Sequence, residues 1–204
     1  MRINLKCLCG ANFLFEYEEE IDLDQKPEYL SDIFSGTFMS ASCPECGKEH
    51  KPEYKITVVW KSKNLKMEAI PEPERIGFYS GKKDNNAQET IIGYREMADR
   101  LAVIKDDLEP VVIEKIKSFL IIKAAESYPE RDVNAWYQGK GPSGIEFHLE
   151  GIKPGETAVM RIPHELYDKT LVDYKKRPKN AAYASLRVRS YLSAHNAFLP
   201  DILN

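Results

Sequence analysis

The sequence has no long run of apolar residues. Its longest apolar cluster, residues 119–122, is far shorter than the ~20 residues that a membrane-spanning helix needs. The start, Met-Arg-Ile-Asn-Leu-Lys-Cys, also lacks the apolar stretch of a signal peptide. We therefore expect a protein without membrane segments that resides in the cytoplasm.

Cysteine is scarce as well, and it is absent beyond residue 46. The four cysteines are Cys7, Cys9, Cys43 and Cys46. Because cytosolic thiols stay reduced, clustered cysteines are more often metal ligands than disulfides. Unrelated buried thiols, a redox pair and disulfides stay open as alternatives, but the clustering favours one shared site.

The composition is that of a folded protein. Apolar residues make up 43% and charged residues 30% of the chain, a balance typical of soluble globular proteins and not of disordered ones. A length of 204 residues suits one large domain or two small ones, and we expect two. Residues 1–50 carry ten acidic and four basic side chains, which makes this part a poor surface for nucleic acid.

The spacing of the cysteines predicts a structural zinc ion. Structural zinc prefers four thiolates in a closed tetrahedron, so two pairs must converge, each pair on a tight turn. Cys43-Pro-Glu-Cys46-Gly fits this requirement well, whereas Cys7-Leu-Cys9-Gly is one residue shorter than the usual pair. His50 is a weaker candidate for one of the four positions. A site closed by four thiolates leaves no position for water or substrate, which argues against catalysis at the metal.

Local patterns predict an α+β fold, in which a zinc-ribbon-like β module is followed by a domain of helices and a small sheet. Each cysteine pair should lie on a hairpin, with strands at 3–6 and 12–18 and at 37–42 and 54–60. Between them, Pro27 and Gly36 are start and stop signals of a short helix.

The second half should alternate between helices and strands. Helical spacing is found at 91–104, with Ile91 and Ile92 on the apolar face, and from Asp107 onward, with Pro110 in the first turn. We expect Val112, Ile116, Phe119, Leu120 and Ile122 to face the core. Strands are expected at 133–138, 145–149 and 157–162, and a last helix after Pro163 with Leu166, Leu171 and Tyr174 facing inward.

The first 70 or so residues resemble the CpXC family. The resemblance rests on three segments: the early cysteine pair followed by Gly10 and Phe13; the segment Pro27…Leu30…Ile33…Gly36-Thr37-Phe38; and Cys43-Pro44-Glu45-Cys46-Gly47. It implies a zinc-ribbon-like module and gives ligand roles to the four cysteines, but it implies no activity. The sequence departs from the family motif by having one residue between Cys7 and Cys9 where the motif has two.

These observations divide the chain into three parts. We expect a CpXC-like zinc-binding module at 1–75, a linker or exposed loop at 76–90 and an α+β domain of unknown role at 91–204. Pro71, Pro73 and the polar residues 80–88 indicate the boundary.

Motifs for catalysis are weak. The segment that begins His164-Glu165 resembles a helical zinc-protease motif but has Asp168 in place of the second histidine. The glycine-rich segment 139–144 matches neither a phosphate-binding loop nor a nucleophile elbow, and it is better interpreted as a hairpin turn. An enzyme with an unrecognised site in the second domain stays an alternative.

Binding is the function that the sequence favours, with an unidentified protein as the partner. Nucleic acid is the second candidate, because basic residues are interspersed with tyrosines near the end of the chain. These residues are Lys175, Lys176, Arg177, Lys179, Arg187 and Arg189, with Tyr174, Tyr183 and Tyr191.

Overall fold

The computed structural model describes residues 1–81 and 87–199, which divide into two compact units between residues 98 and 99. Both contain helices and sheets, so the predicted α+β class is confirmed. The predicted division into 1–75, 76–90 and 91–204 stays a prediction. Within 76–90, residues 82–86 lie outside the described residues.

The first unit contains two small hairpins, which are separated by a strand and a helix. Its elements are β1 (Arg2–Lys6), β2 (Asn12–Glu16), β3 (Glu20–Asp22), α1 (Glu28–Ser35), β4 (Ala41–Ser42), β5 (Glu49–His50), β6 (Ile56–Trp60), β7 (Leu65–Ile70), α2 (Arg75–Tyr79) and β8 (Thr90–Ile92). Antiparallel pairing joins β1 to β2 and β4 to β5. Helix α1 starts after Pro27 and ends at Gly36, whose φ of 70° closes the helix in the left-handed region, as predicted.

The remaining strands of this unit form a mixed sheet in the order β8, β7, β6, β3. Strands β6 and β7 are antiparallel, while β3 pairs with β6 and β8 pairs with β7 in parallel. Two predictions were wrong here. The second hairpin returns through β5, not through residues 54–60, and Ile91 and Ile92 belong to β8, not to a helix.

The second unit packs helices against a three-stranded sheet. Its elements are α4 (Pro110–Ser127), β9 (Asn134–Gly141), β10 (Gly144–Glu150), β11 (Thr157–Ile162), α5 (His164–Lys176), α6 (Ala181–Ala184), β12 (Arg187–Val188) and β13 (Tyr191–Leu192). Helix α3 (Tyr94–Lys105) begins in the first unit and continues into the second. The sheet has the order β11, β10, β9, and the turn between Gly141 and Gly144 is the predicted hairpin turn.

The core of the second unit lies between α4 and this sheet. Val112, Ile116 and Leu120 of α4 are buried as predicted, together with Phe147 of β10. Three other side chains were predicted to face inward and do not: Phe119, Ile122 and Leu166 are exposed. On α5 the buried residue is Tyr167, which follows Leu166 directly.

Four charged side chains lie inside the second unit. The Lys117 ammonium contacts the carboxylates of Asp99 and Glu114, and the Arg100 guanidinium lies 3.6 Å from Glu114. The carboxylates also accept backbone hydrogen bonds, Asp99 from the N–H of Tyr137 and Glu114 from that of Ala194. Burial alone would lower the pKa of Lys117. The negative charges of Asp99 and Glu114 raise this pKa by more than burial lowers it, so the net shift is upward.

None of the helices within the described residues is both long and apolar enough to cross a membrane. The cytoplasmic location stays a prediction.

We predict that Lys117→Met destabilises the protein by about 3–5 kcal/mol, because it leaves two carboxylates buried without their shared cation. The measurement is chemical unfolding of the variant and of the unaltered chain. Lys123→Met is the matched control, since Lys123 lies on the same helix but pairs with Glu126 at the surface. Its cost should stay below about 1 kcal/mol, and equal losses in the two variants would contradict a buried network.

Candidate metal centre

The first cysteine pair lies in the turn between β1 and β2. The N–H of Cys7 donates to the carbonyl of Ala11 at 2.8 Å, and the N–H of Gly10 donates to the carbonyl of Cys7 at 3.0 Å. Gly10 has a φ of 97°, a conformation that residues with a Cβ rarely adopt. Leu8 lies between the two cysteines and is 87% exposed.

The second pair lies in a turn with the same hydrogen bonds. The N–H of Cys43 donates to the carbonyl of Lys48 and the N–H of Gly47 donates to the carbonyl of Cys43, both at 2.9 Å. Gly47 also has a positive φ, 71°. The two turns are therefore equivalent, except that the first closes one residue sooner. One intervening residue is enough to build this turn.

The four sulfur atoms converge. The Sγ atoms of Cys7 and Cys46 are 3.6 Å apart, those of Cys9 and Cys43 are 3.7 Å apart, and all four lie within 4.8 Å of one another. Four sulfurs around one zinc ion at ~2.3 Å are separated by about 3.8 Å along each edge of the tetrahedron. A disulfide would need about 2.05 Å. The cluster could hold a metal ion, and the two cross-turn separations match the edge of a tetrahedral thiolate site.

Each turn contributes one buried and one exposed cysteine. Cys7 and Cys43 are buried, whereas Cys9 and Cys46, which precede the glycines, are exposed. The N–H of Cys46 donates to the sulfur of Cys43 and lowers the pKa of that thiol to about 7. The N–H of Ala11 acts in the same direction on Cys9, but the thiols of Cys7 and Cys46 raise its pKa to about 12. Loading with a metal cation would therefore release protons.

His50 is not part of the cluster. The candidate ligand group found among the described residues consists of the four cysteines alone. The His50 ring instead meets Phe13 edge-on, with centroids 5.4 Å apart. The observed arrangement favours the four-cysteine interpretation over a site in which His50 replaces one thiolate.

The motifs weighed for catalysis have local roles in the second unit. Nε2 of His164 lies 2.8 Å from the carbonyl oxygen of Gly141, so this histidine joins the start of α5 to the β9–β10 turn. Another histidine of this unit, His148, lies beside Glu146 on β10, with 3.6 Å between Nε2 and Oε1.

Reasoning from the sequence missed the exposure of Leu8. A signal for it was present, because a side chain between two cysteines whose sulfurs point inward must point the other way. Among the large apolar side chains that the structure describes, that of Leu8 is exposed to the greatest extent.

A family model described as CpXC protein matches residues 5–117. The chain belongs to the CpXC family. The match includes all four cysteines and reaches well past the ~70 residues of the sequence resemblance, into the first two turns of α4. The family match thus covers nearly all of the first unit.

A relative with similar length supports the same grouping. An uncharacterized protein of Treponema pallidum (strain Nichols) is 30% identical over an alignment of 217 positions, which spans 96% of this chain and 98% of the relative. The likeness therefore extends through both units of the CpXC protein. No solved structure matches.

We predict that the purified protein binds one metal ion per chain and that Cys46→Ser loses it. Serine is nearly isosteric but a much poorer ligand for a soft thiolate site. Metal content is measured by elemental mass spectrometry against protein concentration. Leu8→Ser is the control, because it changes the same surface without removing a ligand. Equal metal content in the two variants would contradict the assignment of Cys46 as a ligand.

Proposed function

We propose that this CpXC protein is a zinc-binding, non-catalytic protein, in which one structural Zn²⁺ holds the first unit in a conformation that binds a protein partner. Cys7, Cys9, Cys43 and Cys46 are the proposed ligands. The observation that carries the proposal is the convergence of the four sulfurs from two equivalent turns, with separations of 3.6 and 3.7 Å in the two cross-turn pairs.

The donor set favours zinc. Four thiolates in a tetrahedron are typical of zinc or iron, whereas calcium and magnesium prefer oxygen ligands. Zinc has no redox chemistry and is the usual ion of structural four-cysteine sites. Because the four sulfurs would fill its coordination sphere, the ion would stabilise the fold and not act on a substrate.

The elements around the cluster are too small to be stable alone. Strands β4 and β5 have two residues each, and β1 and β2 form a two-stranded hairpin. Isolated two-stranded hairpins are marginally stable in water at best. A metal bound by both turns supplies free energy that such hairpins lack, as in other small zinc modules.

We predict that zinc removal loosens the first unit more than the second. Hydrogen exchange followed by mass spectrometry should show faster exchange within residues 1–60 after chelation, because the turns lose their common ligand. Peptides from 110–162 should keep their protection, since the core between α4 and the sheet contains no metal ligand. Unchanged exchange throughout after verified metal loss would contradict a structural ion.

Leu8 supports a role in binding a protein. Its side chain is 87% exposed at the tip of the first turn, between two proposed ligands, so the ion would fix its position. Leu14 on β2 is also exposed, at 56%. Apolar anchors surrounded by polar side chains are common at protein interfaces.

We predict that Leu8→Asp abolishes capture of the partner while the metal content stays at that of the unaltered chain. A charge at the tip would have to be desolvated on binding. The measurement is crosslinking in cell extract with quantitative mass spectrometry. Ile76→Asp is the matched control, since Ile76 is 82% exposed on α2 of the same unit and lies outside this hairpin. An unchanged set of crosslinked proteins in Leu8→Asp would contradict the role of Leu8.

Nucleic-acid binding stays the second candidate. Tyr183 and Tyr191 are 4% and 0% exposed, so neither ring is placed to stack on bases. Arg187 is exposed on β12, between buried Leu186 and Val188. Any such binding would therefore rest on phosphate contacts and fall steeply with salt.

A further inference from the structure

A groove runs between α4 and α5 in the second unit, independent of the cysteine cluster. It has a volume of about 330 Å³, within the range of small-molecule sites. It is lined by Lys115, Ile116 and Phe119 of α4, by Leu166, Lys169, Thr170 and Asp173 of α5, and by Tyr183 of α6. The residues from α5 span about two turns, so the groove is about 10 Å long.

The floor of the groove is apolar and rigidly held. Ile116 belongs to the core and is 3% exposed. The Tyr183 ring meets Tyr174 edge-on with centroids 5.1 Å apart, and its hydroxyl donates to Asp173 at 2.9 Å. The walls are Phe119 and Leu166, which are 46% and 37% exposed. The cleft is thus built from side chains that are already positioned.

The polar side chains in the groove have hydrogen-bond or ion-pair partners, except for two lysines. Thr170 donates to the carbonyl of Leu166, and Asp173 is paired with Arg177 and Tyr183. Lys115 and Lys169 also line the groove, and neither ammonium has an ion-pair partner within residues 1–81 and 87–199. The local charge is therefore positive, beside an apolar cleft.

This combination selects a class of ligand. An alkyl chain of moderate length would cover Ile116, Phe119 and Leu166, while an anionic headgroup would meet one or both lysines. A groove of about 10 Å is too small for a stable protein interface, which buries roughly 800 Å² on each partner. The length of the groove does suit a single alkyl chain.

We propose that the groove between α4 and α5 binds a small amphiphile with an alkyl chain and an anionic headgroup, of the class of free medium-chain alkyl carboxylates. This binding function is separate from that of the cysteine cluster, and it does not depend on the metal. Ligand binding would bury Phe119 and Leu166, two side chains that the fold leaves exposed although they lie next to the core.

The test is calorimetric titration of the full chain with decanoate, below the concentration at which decanoate forms micelles. We expect saturable binding of one molecule per chain with a Kd below about 1 mM. Decylamine, which has the same chain and the opposite charge, should bind at least 10-fold more weakly because the lysines repel it. Absence of saturable decanoate binding, or equal binding of the amine, would overturn the proposal.

Two substitutions with matched controls locate the site. Lys169→Glu should weaken decanoate binding about 10-fold at low salt and less at high salt, whereas Lys175→Glu on the same helix should leave it unchanged. Leu166→Ser should weaken binding with little effect on folding, since Leu166 is exposed, and Val172→Ser is its control. Equal effects of variant and control in either pair would overturn the location.

Two further probes separate this ligand from other occupants. An acidic amphipathic peptide and vesicles of anionic lipid are each titrated in the same way. Binding of either one, combined with no binding of decanoate, would overturn the proposal in favour of a protein or a membrane surface. The outcome does not depend on zinc, so decanoate binding by a chain that purifies without any metal would count against the proposed zinc function alone.

Discussion

Four sulfur atoms within 4.8 Å of one another are the constraint around which the first unit is built. Thiolates so close repel one another strongly, and neutral thiols gain little from the contact. A divalent cation removes the repulsion and turns the approach into a source of stability. The turns that bring the sulfurs together join strands of two to five residues, which have few other means of holding their position.

A series of aromatic contacts connects the first hairpin to the rest of the unit. Tyr17, just after β2, stacks on Tyr54 with ring centroids 5.0 Å apart, and the carbonyl of Tyr54 accepts the hydroxyl of Tyr94 at 2.8 Å. Tyr94 in turn lies against Phe38, which meets Tyr29 of α1 edge-on. The hairpins, α1 and the start of α3 are therefore joined by one series of rings. Loss of order at the turns would therefore weaken these ring contacts.

Features with a local chemical cause could be predicted from the sequence. Pro27 and Gly36 fixed the ends of α1 because proline and glycine restrict or permit particular backbone angles. Glycine after each cysteine pair gave the turns for the same reason. The position of Pro110 at the start of α4 followed from its missing N–H.

Features set by distant contacts could not be predicted in this way. Ile91 and Ile92 precede a helix and share its apolar character, but parallel pairing with β7 makes them a strand. Strand β5 has only two residues, too few for any alternating pattern. On α4, Glu114 and Lys117 resemble an ordinary surface pair at helical spacing. Only Asp99 and Arg100, contributed by α3, make them part of a buried network.

The most direct test of the central claim is X-ray absorption at the zinc edge of the protein purified without added metal. Our account predicts a zinc ion with four sulfur neighbours at ~2.3 Å and no oxygen or nitrogen in its first coordination sphere. A spectrum with nitrogen or oxygen neighbours, or an iron edge in place of zinc, would contradict a closed structural zinc site at Cys7, Cys9, Cys43 and Cys46.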